Sequence, residues 1–220
     1  MTVLGVDGWS RGWVAAELSG RRVTWCTHTT AGELVAAHAG VEVIGIDMPI
    51  GTTDGPRESD VAARGWLRER GGSPSSIFAT PTTATVAAYV DTAGDHAEAM
   101  RRLRGSQAGT SIQAWRLIPK IIEVRDVGDP RFVEVHPESS FAELAAPAVA
   151  HSKKSAKGMA LRLAALAAVL DLPDLTTAPD RVPVDDVLDA TVAAWSAARH
   201  AAGISRALPD GATGPPRIVI

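Results

Sequence analysis

Two stretches decide how this chain is read: Val3-Leu4-Gly5-Val6-Asp7 and Val43-Ile44-Gly45-Ile46-Asp47. Each is a short apolar run bounded by turn residues, the signature of a strand buried on both faces. Each ends in aspartate two residues beyond a glycine, so with a period of two the Asp and the Gly share a face, and the glycine leaves room beneath the carboxylate. As parallel neighbours, the strands bring Asp7 and Asp47 side by side at the carboxyl edge of the sheet, where open α/β sheets bind ligands. Two adjacent carboxylates resist ionising together, and a shared proton or a divalent cation relieves them. All-oxygen ligation suits a hard cation, Mg²⁺ or Mn²⁺. Taken singly, each Asp is as well explained by an Asx-turn or a helix cap; the duplicated spelling favours the site.

Outward from these runs, strand one is expected over Val3 to Asp7 and a turn over Gly8 to Gly12, followed by strands at Trp13 to Leu18 and Val23 to His28 joined through Ser19-Gly20. Thr30 can cap a helix over Ala31 to His38, and Val41 to Asp47 then returns as the parallel strand. From Met48 onward the character turns helical, with helices near Glu58–Glu69, Thr82–Ala93, His96–Leu103, Ser111–Val124, Ser139–Leu144, Lys157–Leu170 and Asp185–Ala202. One more β signal lies at Arg131 to His136, and Arg217 to Ile220 offers a short terminal strand. Gly71 to Ser76 and Ala145 to Ser155 are candidate ligand-contacting loops. The expected class is α/β: a mixed sheet of three antiparallel strands followed by parallel ones, in a single domain over 1–220 with a helical insertion at about 52–128.

In the last long helix, Asp186 and Asp189 are three apart and project from one face of its first turn. Ala190, Ala193 and Ala194 would let that face approach a sheet closely, while Asp185 reads as an N-cap. In Arg131-Phe132-Val133-Glu134-Val135-His136-Pro137-Glu138, Glu134 and His136 share a face; Glu134 is a further candidate cation ligand or an arginine partner, and His136 a proton shuttle or phosphate contact. Glu138 is a weaker candidate, since it also suits the first turn of the next helix.

Composition bounds the rest. The 220 residues are 45% hydrophobic and 21% charged with a net charge of −3, enough to bury a core and too acidic for generic coating of nucleic acid. Any nucleic-acid contact must be local. Cys26 is the one cysteine, as expected for a reducing compartment, and the N-terminus has no secretory pattern; a cytoplasmic protein is the expectation. The longest apolar stretch, Met159 to Leu170, is broken by Arg162 and is too short for a membrane span, for which about 20 residues are needed.

These residues together resemble a ribonuclease H-like fold, and Asp186-Val187-Leu188-Asp189-Ala190 is similar to the closing helix of Holliday-junction resolvases. More closely, the chain resembles the family of predicted ribonuclease H-like nucleases catalogued as domain of unknown function family 429. The resemblance is carried by Gly5-Val6-Asp7-Gly8-Trp9, Ile46 to Gly51, Asp60 with Ala63-Arg64, Ser75 to Phe78, Gln113, Pro119 to Ile121 with Glu123-Val124, Glu134 to Glu138, Ser152 to Lys154 with Gly158, and Asp186 to Ala190. It implies a divalent-metal nuclease in which Asp7, Asp47, Asp186 and Asp189 are catalytic metal ligands, joined by Glu134. Arg64, Lys120, His136, Glu138, Lys153 and Lys154 are the expected substrate contacts, and RNA or DNA the expected partner. Ser59 stands where such proteins often carry Cys, so no thiol nucleophile is expected there. Two competitors are a nucleotide- or phosphoester-binding protein of the sugar kinase and actin superfamily, suggested by Asp7-Gly8 after strand one, and a non-catalytic binding module. Oligomeric state is open, a homodimer included.

Overall fold

The structure is a computed structural model that describes residues 1–105, 110–146 and 149–220. Its five-stranded sheet has the order β3-β2-β1-β4-β5, with β1 (Thr2–Trp9), β2 (Gly12–Ser19) and β3 (Arg22–His28) antiparallel. The crossover helix α1 (Ala31–Ala37) then returns the chain to β4 (Ile44–Ile46), parallel to β1, and β5 (Phe132–Glu134) adds parallel to β4. Thr30 caps α1 as expected, accepting from the Glu33 N–H.

Strand lengths differ from the expectation in an informative way. β1 does not stop at Asp7: it runs to Trp9, because β2 pairs with it up to Trp9 opposite Gly12, leaving Ser10-Arg11 as the turn. Gly12 sits at φ +138, a backbone conformation that only glycine adopts without strain. β4 is shorter than Val41 to Asp47, since its ladders with β1 and β5 each span three residues. Asp47 lies one step past that ladder, and its N–H donates to Val6 O at 2.8 Å. The parallel ladder ends at Val6 opposite Ile46, so the two aspartates do emerge together where it stops.

Between β4 and β5 the chain forms α2 (Glu58–Glu69), α3 (Thr83–Asp91), α4 (His96–Arg102) and α5 (Ile112–Val127). Although expected as part of an insertion, α5 covers the sheet: Ile121 and Val124 pack with Leu4, Val6, Trp13, Ile44 and Ile46. Its Glu123 accepts from the Trp13 indole at 3.2 Å and from the Ala31 N–H at 2.5 Å, tying α5 to the start of α1.

The opposite face carries α8 (Val184–Ala201), flanked by α6 (Pro137–Leu144) and α7 (Ala156–Val169). α8 lies almost backbone to backbone on the sheet. A Cβ on Gly5 would fall 2.0 Å from Ala194 N and 2.1 Å from Ala190 O, and one on Gly45 would fall 2.7 Å from Ala193 O. The room that the glycines leave is therefore filled by a helix. Asp185 is not the N-cap: Pro183 holds that position without a side-chain bond, and Asp185 and Asp186 sit in the first turn, where the helix dipole favours them. The terminal strand β7 (Ile218–Val219) pairs with β6 (Ala207–Leu208), which the sequence pattern did not reveal, and touches the main sheet through a bridge from Val219 to Val135. Among the described residues no helix is long and apolar enough to cross a membrane.

Candidate metal centre

The close seating of α8 decides the site. Because Ala190 rests on Gly5, the residue before it, Asp189, arrives beside the acids at the end of the parallel ladder. One ligand oxygen each from Asp7, Asp47 and Asp189 lie within 4.8 Å of one another. Asp7 and Asp189 are buried. Asp186, one turn earlier on α8, lines the same cleft outside this triad.

Positive charge is scarce here. Lys153, from the loop before α7, pairs its ammonium with Asp189 Oδ2. Asp189 Oδ1 is buried with no hydrogen-bond partner among the described residues. Asp7 Oδ1 accepts from the Gly8 N–H at 2.6 Å. The carboxyls are consequently hard to ionise. Burial, followed by the charges of Asp47, Asp189 and Asp186, holds Asp7 well above the usual carboxylate range. Burial and then Asp189 push Asp47 up to about 8. Asp186 rises to about 6 through burial and its neighbour Asp185, and Asp189 to about 6 through burial, with Lys153 pulling it back. Burial works against the Lys153 ammonium, yet Asp189, Asp47 and Asp7 together hold it above its ordinary value. A pocket of carboxylate oxygens with one orphaned oxygen and insufficient countercharge could hold a metal ion.

The cleft encloses about 560 Å³, and Ser73 and Ser75 to Pro81 also line it. Glu134 lines it but is not gathered with the triad. Its strand register pairs it with Ile46 rather than with Gly45, so it belongs to the opposite face of the sheet from Asp7. Its Oε2 accepts from Arg57 at 2.5 Å and from the Ile50 N–H at 2.7 Å, which is the arginine-partner alternative. Burial raises Glu134 to about 7 against the pull of Arg57.

His136 caps α6, its Nδ1 accepting from the Ser139 N–H at 3.2 Å, which leaves the hydrogen on Nε2, 3.5 Å from Ser76 O. Burial pushes this imidazole down to about 4, so at neutral pH it is an uncharged donor rather than a shuttle poised to titrate. Glu138 lines the cleft with both oxygens on Arg162, at 3.2 and 2.7 Å. Arg162 also donates to His151 O and Gly158 O, while a Cβ on Gly158 would meet Ser152 O at 2.0 Å. Arg162 and Gly158 thus seat the loop that delivers Lys153.

Other expected contacts are placed elsewhere. Arg64 donates from Nε and Nη2 to Ile77 O, and Lys120 donates to Gly12 O while lying 4.1 Å from the centre of the Trp13 ring; neither lines the cleft. Lys120 is nonetheless near enough to feel the charge of Asp7. Lys154 is exposed, does not line the cleft, and acts on Asp186 through its charge. Of the loop Ala145 to Ser155, Val149 to Lys153 line the cleft, whereas Pro147 and Ala148 lie outside the described residues.

Compared with known protein families, residues 5–214 match the family described as protein of unknown function (DUF429). The chain belongs to this family. Neither the curated proteins nor the solved structures give a match. In this DUF429 chain the sequence reading missed Arg57 and Arg162. Arg57 carries no spacing signal; it is recognisable only through its buried contacts with Glu134, Thr80 Oγ1 at 2.9 Å and Asp60 at 3.7 Å. Arg162 did leave a trace, as the single charge inside the apolar run from Met159 to Leu170.

Proposed function

We propose that this chain is a divalent-metal-dependent hydrolase of phosphodiester bonds in nucleic acid, built on a ribonuclease H-like sheet. The observation that carries the reading is the meeting of Asp7, Asp47 and Asp189, from β1, the end of β4 and α8, within 4.8 Å and with Asp189 Oδ1 unpartnered among the described residues. The order β3-β2-β1-β4-β5, with its antiparallel-then-parallel pattern, supports it. Asp7, Asp47 and Asp189 would hold Mg²⁺ or Mn²⁺, with Asp186 at the rim. When bound, such a cation would activate water for attack and neutralise charge on phosphoryl oxygens.

The protein's own groups do the rest. The raised acids remain partly protonated without a cation and release those protons as one enters. Lys153, fixed by Asp189, offers the charge nearest to the triad for a substrate phosphate, and Lys154 adds to it from outside the cleft. His136 contributes an uncharged N–H to the cleft wall. The cleft, lined also by Ser73 and by Ser75 to Pro81, is acidic apart from Lys153 and the paired Arg162, so a bound cation would be needed to offset the charge of a substrate phosphate.

The test is cleavage of labelled RNA, DNA and branched DNA with Mg²⁺ or Mn²⁺, beside Asp47→Asn. Cutting by the wild type and not by the variant is expected. Equal inertness across the panel overturns the assignment.

A further inference from the structure

A second cluster of ligand atoms lies on the other face of the sheet, independent of the carboxylates. Cys26 and His28, two apart on the edge strand β3, share a face with Ala15 and Trp13 of β2, their cross-strand partners. His38, the C-cap residue of α1, completes a triangle with them. Its edges are 3.1 Å from His28 Nε2 to His38 Nε2, 3.5 Å from Cys26 Sγ to His28 Nε2, and 3.6 Å from Cys26 Sγ to His38 Nε2. Tetrahedral zinc with Zn–N of about 2.05 Å and Zn–S of about 2.3 Å has ligand–ligand edges of roughly 3.3 Å for N–N and 3.6 Å for N–S. A hydrogen bond between the imidazoles accounts for one edge; it does not place the sulfur equally far from both nitrogens.

The fourth participant is Glu17, diagonally across β2. Its Oε2 lies 2.9 Å from His38 Nδ1, and because a carboxylate only accepts, Nδ1 carries the hydrogen and Nε2 keeps its lone pair toward the triangle. Such a carboxylate–histidine pair is the usual support behind a metal-bound imidazole. Cys26, His28 and His38 are all partly exposed, so a fourth ligand has access from solvent.

We propose that Cys26, His28 and His38 form a zinc-binding site, with Glu17 orienting His38 and the fourth position open to water or an exogenous ligand. Thiolate and imidazole select a borderline-soft cation, whereas the oxygen-only triad selects a hard one, so the chain carries two metal sites of different preference. Binding expels the thiol proton and leaves the remaining His28 hydrogen on Nδ1. The ion would staple the exposed end of β3 to the crossover helix.

The experiment uses the full chain stripped with chelator and titrated with Zn²⁺ or Co²⁺ in excess Mg²⁺. Expected are one ion per chain at this site, a thiolate-to-cobalt charge-transfer band, and loss of that band in Cys26→Ser. His28→Gln should weaken binding at least 100-fold, Glu17→Gln about 10- to 100-fold, and Asp47→Asn should leave the band intact. Because Cys26 is the only thiol, Zn²⁺ should also slow its alkylation in the wild type more than tenfold, a reading that needs no variant to fold. Unprotected alkylation, or a band that survives Cys26→Ser, overturns the site. Since neither readout depends on cleavage, an inactive protein leaves this result standing.

Discussion

On one face of the sheet α8 lies against Gly5 and Gly45 with only Ala190, Ala193 and Ala194 between, whereas on the other α1 and α5 are held off by Leu4, Val6, Trp13, Ile44 and Ile46. The same strands produce both, since alternate residues point to opposite faces. On the α1 and α5 face side chains fill the gap throughout, and modest changes of volume can be absorbed. At Gly5 and Gly45 no side chain separates the strands from α8, so there the height of the helix is set by backbone contact, while Val3, Val14, Ala16 and Leu18 pack around it on the same face. That rigidity lets a helix deliver Asp189 to within a few ångströms of acids from two strands.

The comparison predicts where the molecule is brittle, first in function. Asp47→Asn should abolish cleavage, by about 10³-fold or more, roughly 4 kcal/mol on the barrier, while melting no earlier than the wild type in metal-free buffer, because it removes a repelling carboxylate. A variant that cuts normally would detach the acid cluster from the chemistry. Next comes packing: Gly5→Ala should lower unfolding free energy by about 3 kcal/mol or more, because the new methyl meets Ala190 and Ala194 backbone that cannot yield. Denaturant titration reads this directly, and a small loss would mean that α8 can lift. Lys153→Met should lower cleavage by roughly 10²-fold and leave Mn²⁺ affinity undiminished, because Asp189 loses the cation that competes for Oδ2. Isothermal titration separates the two effects.

The fourth expectation concerns pH. Asp47, with a usual value of 3.8, sits at about 8 in the fold, and Asp7 is raised as well. Between those values the folded state holds protons that the unfolded chain has released, so stability is greatest at the acidic end and falls as pH rises through about 8. The effect is cleanest from about pH 6.5 to 8, because His136, pushed down to about 4, opposes it only below its usual 6.5. Melting temperatures of metal-free protein should therefore fall over that interval, Mn²⁺ should reverse the fall, and Asp47→Asn should flatten it. The smallest effect is a control on the brittle face: Gly65→Ala in α2, where the added methyl meets nothing within 4 Å, should gain about 0.5–1 kcal/mol.

Much of this was legible in the residues. The two Val/Ile-Gly-Val/Ile-Asp runs, the hairpins and the crossover follow from periods and turn residues, and α2 lies where a helix near Glu58–Glu69 is expected. The small face of α8 could be read from Ala190, Ala193 and Ala194. Strand ends were less legible, since β1 and β4 stop where their partners stop, and partners are chosen by the whole sheet. The wall of the cleft was least legible. Glu134 looked like a ligand until register turned it toward Arg57, and Arg64 and Lys120 looked like phosphate contacts until folding gave each a backbone carbonyl.

The sequence by itself determined which acids can converge and that α8 can come close enough to add one, because those properties reside in local period and in the absence of side chains at Gly5 and Gly45. Only the tertiary structure decided which charges are answered and which are not. Lys153 reaches Asp189 Oδ2 while Asp189 Oδ1 has no partner among the described residues, Glu138 is taken by Arg162, and a cysteine and two histidines up to twelve residues apart meet at 3.1 to 3.6 Å. Such pairings depend on distances between segments remote along the chain, and those distances exist only once the sheet and its two unlike faces have been assembled.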